Sequence, residues 1–288
     1  MKKQILAAVL AGATVLGTLP MCAFADELET ISVAATPAPH AEILEFAKPL
    51  LEEKGYELDI QVFEDYVVPN NVVDSGELDA NYFQHQPYLD TYNSEAGDNK
   101  LQMACKVHFE KLCLYASKSD HKEVANGDRI EIVNDISNIE RALLLLKDNG
   151  ILTSISESCY ADGVFTTFNT NAPNSQVTFA DAYKDCALTC IQESNLPISL
   201  PDFNFGVIPG NTALTGLGSD YASRIVFGEK ISEEVLSLRA NGIAVKPSNA
   251  NSDKTKALVD AFSSKSVETY IQSTFGESVV YHYESLLA

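Results

Sequence analysis

The sequence predicts an α/β protein of two domains, on three observations. Strand-type alternation and helix-type periodicity follow one another along the chain, the pattern that packs helices onto a mostly parallel sheet. About 263 residues follow an N-terminal leader, a length that suits two domains. Repeats and low-complexity tracts are absent, and no later apolar run reaches the roughly 18–20 residues that span a bilayer.

The leader carries Lys2 and Lys3, an apolar run from Ile5 to about Leu19, and the small-residue frame Ala23-Phe24-Ala25 before Asp26. This is the layout of a secretory signal peptide, so cleavage is expected between Ala25 and Asp26. The alternative is lipid attachment at Cys22, three residues after Leu19, although Pro20 and Met21 are poor substitutes for the small residues such a site needs. Two acyl chains would hold the protein at a membrane, whereas the cleaved form would diffuse.

Thr30 to Ala35 is a β-rich run, followed by the turn Pro37-Ala38-Pro39. A helix from about His40 places Ile43, Leu44, Ala47, Leu50 and Leu51 on one face and ends near Gly55. Leu58, Ile60 and Val62 then alternate as a strand, completing a βαβ unit. Gly76 ends a short helical stretch, and ELDANYF forms a strand that feeds the cluster NYFQHQPYL at residues 81–89. A further strand is expected over Cys105–Ser117, then a domain crossing in the polar stretch SKSDHKEVANGD. Beyond it the pattern gives a strand at Ile130–Val133, a helix near Ser137–Lys147, strands around Phe205–Pro209 and Arg224–Phe227, and helices near Ser232–Arg239 and Ser252–Phe275. Thr153 to Ser175 is irregular.

Two segments carry recognition chemistry. In the cluster, Phe83, Tyr88 and Tyr82 offer faces to an apolar ligand tail, while Gln84, His85 and Gln86 offer donors and acceptors. Its place at a strand's carboxyl end is where open α/β sheets bind ligands. In NDISNIERALLLL, Ser137 and Glu140 have capping-box spacing, which puts Arg141 by the first helical turn, where a guanidinium fork and free amides suit a carboxylate.

Other chemistry is sparse. The five histidines are scattered; His108 and Glu110 share a strand face, but two ligands are too few for a metal and a buried hydrogen-bonded pair is expected. With no HExxH, paired CxxC, GxSxG or phosphate loop, no catalytic residue, metal or cofactor is assigned and an enzyme is disfavoured. Removing Lys2 and Lys3 takes the net charge from −20 to −22, so nucleic acid is excluded as a partner. Cys105, Cys113, Cys159, Cys186 and Cys190 remain after cleavage, an odd number; Cys186 and Cys190, four apart in a helix-like run, read as small core residues, with a disulfide open.

The stretches TPAPHAEILEFAKPLL, VFEDYVVPNNVVDSGELDANYFQHQPYLD, VHFEKLCLY and NDISNIERALLLLKDNGIL, in that order, resemble the NlpA family of methionine-binding lipoproteins, the substrate-binding components of methionine-type ABC importers. The resemblance runs from about Ile31 to Leu152, thins over residues 153–200 and resumes more weakly at FGVIPGNTAL and near the C-terminal helix. It implies a two-lobed periplasmic-binding-protein fold with a ligand cleft between the lobes, residues 26–115 and 224–288 forming lobe I and 116–223 lobe II. It also implies a monomer that delivers a small amino acid to the membrane permease of an ABC importer. Tyr66, Phe83 and Tyr88 would take the thioether side chain, with His85 beside them. Arg141 would take the ligand carboxylate, preceded by Asn138. The sequence departs from the family where Pro209 and Ser223 replace two asparagines, and where Ile139 and Glu140 replace glycines and narrow the space; Asn211, at a different family position, is the compensating candidate. These departures leave two alternatives: the same fold binding another carboxylate-bearing metabolite or a short peptide, and a surface interaction protein without a transport role.

Overall fold

The computed structural model describes residues 28–97 and 100–287. Ala25, Asp26 and Cys22 lie outside them. The chain runs through β1 (Glu29–Ala35), α1 (Glu42–Glu52), β2 (Tyr56–Val62), α2 (Val68–Ser75), β3 (Ala80–His85), α3 (Gln86–Glu95) and β4 (Gln102–Glu110) before leaving the first lobe. β1 alternates as a strand between two helical layers must. Ile31, Val33 and Ala35 face a core shared with Ile43, Leu44, Phe262 and Ile271, while Ala34 faces a smaller core with Val73, Leu89 and Met103. The left-handed Gly76, at φ 81°, ends α2 and turns the chain toward β3. β2 is the sheet edge, and only Leu58 of its alternating residues is fully buried.

The second lobe holds β5 (Cys113–Ala116), β6 (Arg129–Val133), α4 (Ile136–Asp148), β7 (Leu152–Ile155), β8 (Tyr160–Ala161), β9 (Val164–Phe165), β10 (Val177–Phe179), β11 (Ala187–Ile191), α5 (Leu196–Ser199), β12 (Phe205–Ile208), α6 (Gly210–Gly216) and β13 (Ile225–Gly228). The chain then returns through α7 (Glu233–Arg239) to β14 (Asn241–Val245), α8 (Asp253–Phe262), α9 (Lys265–Phe275) and β15 (Val279–Ser285) in the first lobe. The main sheets are six-stranded, ordered β15-β4-β14-β3-β1-β2, and five-stranded, ordered β11-β6-β12-β5-β13.

Several expectations are corrected. The strand anticipated over Cys105–Ser117 is two strands in different sheets, so the chain crosses between lobes at Lys111 and Leu112 and not in the polar stretch after Ser117. Cys113–Tyr115 and Ile225–Gly228, assigned from sequence to lobe I, pair in the second sheet. The long helix from Ser252 to Phe275 is two helices, because Ser264 breaks it and caps α9 through the Val267 amide. Cys186 and Cys190 flank and enter a strand, not a helix. All five described cysteines are free thiols, four of them buried. The irregular stretch after Leu152 folds as short strands and turns against the second core.

Candidate functional site

The ends of β3 and β4 face α4 and α6 across the gap between the lobes. A cavity of about 20 Å³ lies there, lined from the first lobe by Tyr66, Phe83, Gln84, His85, Tyr88, Glu110 and Asn241, and from the second by Asn138, Arg141, Pro209 and Asn211. All seven ligand-site residues expected from the sequence therefore border one cavity. Tyr66, Phe83 and Tyr88 form a three-ring box, with centroids 5.7–5.9 Å apart and mostly edge-to-face. The Tyr88 hydroxyl donates to the Tyr66 carbonyl at 3.0 Å and fixes the box. Tyr82, by contrast, points into the first core and bonds His108, and Gln86 bonds the surface residue Asp90.

His85 ends β3 and caps α3: its Nδ1 accepts from the Tyr88 amide at 3.2 Å, which leaves Nε2–H to donate across the gap to Asn138 Oδ1 at 3.2 Å. Burial, then the charges of Arg239 and Arg141, push its pKa down to about 3, so it stays neutral at ordinary pH. Asn138 is oriented by Asp135, which accepts from both its backbone and side-chain nitrogens. Asp135 is thus the cap of α4, and the Ser137–Glu140 capping box is not formed. The Asp135 carboxylate accepts from the Asn138 amide at 3.0 Å and from the Ser137 hydroxyl at 2.9 Å, so the helix starts before Ser137 and the hydroxyl that would have capped it is already engaged. Arg141 consequently sits in the second turn, away from the free amides.

The guanidinium of Arg141 is engaged. Nε and Nη2 donate to Glu229 Oε1 and Oε2 at 2.5 and 2.6 Å, and Nη2 also donates to the Glu110 carbonyl at 2.5 Å. Burial works against its charge, but Glu229, through charge and hydrogen bonding, together with Glu110 and Cys113 holds the pKa above its ordinary value. The fork expected for a ligand carboxylate is therefore held by the chain's own carboxylate.

The anticipated substitutions land differently from their linear spacing. Pro209 does line the cavity, but Ser223 is exposed in a turn and donates to the Asp220 carbonyl. Beside Gln84, Asn138 and Asn211 the cavity holds a further amide, Asn241, which the sequence did not reveal because no strand was assigned between Arg239 and Ser252; the run NGIAV was the available signal. Ile139 is buried in the second core, and Glu140 faces Arg239 at 3.7 Å, so neither narrows the cavity. Asn211 Nδ2 donates to the Tyr66 hydroxyl at 2.8 Å, and its backbone amide donates to Glu110 Oε2 at 3.1 Å, two further bonds across the gap.

Behind the cavity, His108 Nε2 meets Glu110 Oε1 at 2.8 Å, the pair expected from sequence, and His40 Nε2 approaches the same oxygen at 3.2 Å. One ligand atom from each of His40, His108 and Glu110 lies within 4.8 Å of the other two, a set that could hold a metal ion. Thr36 and Tyr82 hydroxyls engage the opposite ring nitrogens, so hydrogen bonding accounts for the cluster apart from His40 Nε2. Burial pushes both imidazoles down to about 3 and the Glu110 carboxyl up. A second cavity, about 430 Å³, shares Tyr66 and Asn211 with the first and is lined also by Glu64 and Glu193; burial pushes the Glu193 pKa up to about 8.

Comparison with known proteins places this geometry. Residues 31–282 match the NlpA lipoprotein family. The methionine-binding lipoprotein MetQ of Bacillus subtilis is 30% identical over 97% of this chain and 98% of its own. A lipoprotein structure from Ruminococcus gnavus is 37% identical, with a TM-score of 0.77 over 88% of this chain and 99% of that one. The structure of a nutrient-binding protein from Burkholderia cenocepacia bound to methionine is 29% identical, with a TM-score of 0.76 over 87% and 99%. No described helix is long and apolar enough to cross a membrane. With its two lobes and its match across nearly the whole described length, this chain belongs to the NlpA lipoprotein family.

Proposed function

We propose that this chain is the extracytoplasmic substrate-binding protein of an ABC importer, a monomer that closes its lobes around methionine or a related amino acid and presents it to a membrane permease. The observation that carries this reading is the convergence, from both lobes, of the Tyr66–Phe83–Tyr88 box with Arg141, Asn138, Asn211 and Asn241 on one cavity. The rings suit an apolar side chain, and the amides and guanidinium suit the polar end of an amino acid. The methionine-bound relative supports the choice of ligand. A cavity of about 20 Å³ holds roughly one water, so the lobes must part before a ligand enters.

The adjoining 430 Å³ space favours a second reading in which a short peptide or a larger carboxylate-bearing metabolite fills both cavities. Thermal unfolding of the mature chain, stripped of ligand by unfolding and refolding, separates the two. At a hundred times its dissociation constant a ligand adds about 2.7 kcal/mol. A selective rise with methionine supports the first reading, a rise with peptides alone supports the second, and no response to either class overturns both.

A further inference from the structure

Glu229 is anchored at both ends. Its backbone amide donates to the Leu112 carbonyl at 3.1 Å, and its Oε2 accepts from the Leu112 amide at 2.9 Å. Leu112 belongs to one crossing between the lobes and Glu229 begins the other, so this exchange ties the two crossings together. A side chain held in this way is not a swinging lid that a ligand displaces. Its carboxylate also stands on the far side of Arg141 from the cavity. Arg141 borders both the cavity and an outer groove between α4 and α7, whereas Glu229 borders only the groove.

The consequence is a count of donors. Arg141 has five N–H groups. The Nε hydrogen and one on Nη2 go to Glu229, and the other Nη2 hydrogen goes to the Glu110 carbonyl. Nη1 is the nitrogen without a hydrogen bond to the described residues. Arg141 can therefore meet a ligand through one nitrogen, not through a two-pronged fork, and its charge is already balanced by a carboxylate in contact with it.

We propose that Glu229 is a positioning residue that sets ligand class. By holding Arg141 edge-on and neutralised, it makes the site read the ligand's carboxyl group as a hydrogen-bond acceptor and not as an anion. Amino acids with the carboxyl amidated, including the first residue of a peptide, are then accepted along with free amino acids. This inference rests on the amino-acid reading above. A carboxylate gains over a carboxamide mainly through charge assistance and bidentate geometry, and the Arg141–Glu229 pair withholds both.

The test is calorimetric titration of the stripped wild-type protein and of Glu229→Gln with L-methionine and L-methioninamide, with Glu229→Asp as the conservative control. Wild type should bind the two ligands within about tenfold of each other. In Glu229→Gln, Arg141 regains an unbalanced charge and the preference for methionine over the amide should rise at least tenfold, with Glu229→Asp returning toward wild type. A purely structural role for Glu229 would weaken both ligands equally and leave their ratio unchanged, which would overturn the proposal. So would a wild-type preference for methionine of a hundredfold or more. Absence of binding by either ligand to any variant would sink the amino-acid reading. The pair is then decided on its own by NMR of the Arg141 side chain: a slowly exchanging Nε–H lost in Glu229→Gln upholds the positioning, and an exposed, fast-exchanging one refutes it.

Discussion

Arg141 carries two loads, and its removal should show both. Arg141→Ala deletes the guanidinium that borders the cavity and strands the Glu229 carboxylate, whose side chain is only 13% exposed. Breaking a buried pair by removing one partner costs about 3–5 kcal/mol, so the variant should lose roughly that stability along with most of its ligand affinity. Arg141→Ala/Glu229→Gln should regain much of the stability in denaturant melts and none of the affinity; recovery of binding would show that the guanidinium does not touch the ligand. Glu131 is a second residue whose cost is visible. It is fully buried in β6, Ser199 donates to Oε2 at 2.5 Å, and Oε1 has no partner. Burial raises its pKa to about 7. Folding therefore favours the protonated form, a contribution fully present below about pH 4.5 and lost as pH rises through about 7. Wild type should lose up to about 3 kcal/mol between pH 5 and 8 from this group, on the scale of 1.36 kcal/mol per pKa unit. Glu131→Gln should flatten that part of the profile, and identical profiles for the two proteins would refute the assignment. The aromatic box and Arg141 were legible in the sequence because their side chains have few other uses in such a context. Glu229 was not, because its partner lies 88 residues away.

At the scale of elements, the local signals that failed were those with a nearer competitor. Ser137 and Glu140 have the right spacing for a capping box, yet Asp135, two residues earlier, offers a carboxylate to the Asn138 amide. Asp135→Ala should cost about 1–2 kcal/mol and also weaken ligand binding, because it frees the Asn138 side chain. Asp135→Asn keeps the cap and should retain most of both, as paired thermal and calorimetric measurements would show. β14 escaped notice for a related reason: it is five residues long, and its glycine hides the alternation. That glycine is required by packing. The register of β14 shifts at Gly242 against both β3 and β4, and a Cβ there would fall onto the Cys105 carbonyl oxygen. Gly242→Ala should destabilise by at least the 1–3 kcal/mol typical of overpacking and shift Asn241 in the cavity. Wild-type stability in this variant would mean that the two strands can separate freely. The βαβ start, in contrast, was legible throughout, because β1 and α1 bury what their periodicities predict.

The whole molecule turns on two crossings, Lys111–Leu112 and the stretch from Glu229 to Ala240, and on the side-chain bonds that join the lobes. His85 to Asn138, Tyr66 to Asn211, the Asn211 amide to Glu110 and Arg239 to the Ser137 carbonyl all span the gap. None could be read from the sequence, since each joins residues that only the closed lobes bring together. A ligand that binds the closed form gains affinity in proportion to how populated that form already is. Tyr66 to Asn211 is the bond to remove, because Asn211→Ala leaves the backbone link to Glu110 in place. A hydrogen bond of this kind contributes about 1 kcal/mol, or roughly fivefold in an equilibrium constant. Without ligand, small-angle scattering should find Asn211→Ala more expanded than wild type, and saturating ligand should return both proteins to the same radius of gyration. Tyr66→Phe, which keeps the ring in the aromatic box, should match Asn211→Ala in expansion and in a roughly fivefold loss of affinity. If Tyr66→Phe leaves both quantities unchanged while Asn211→Ala lowers affinity, Asn211 acts on the ligand directly, and closure is held by the His85 and Arg239 bonds.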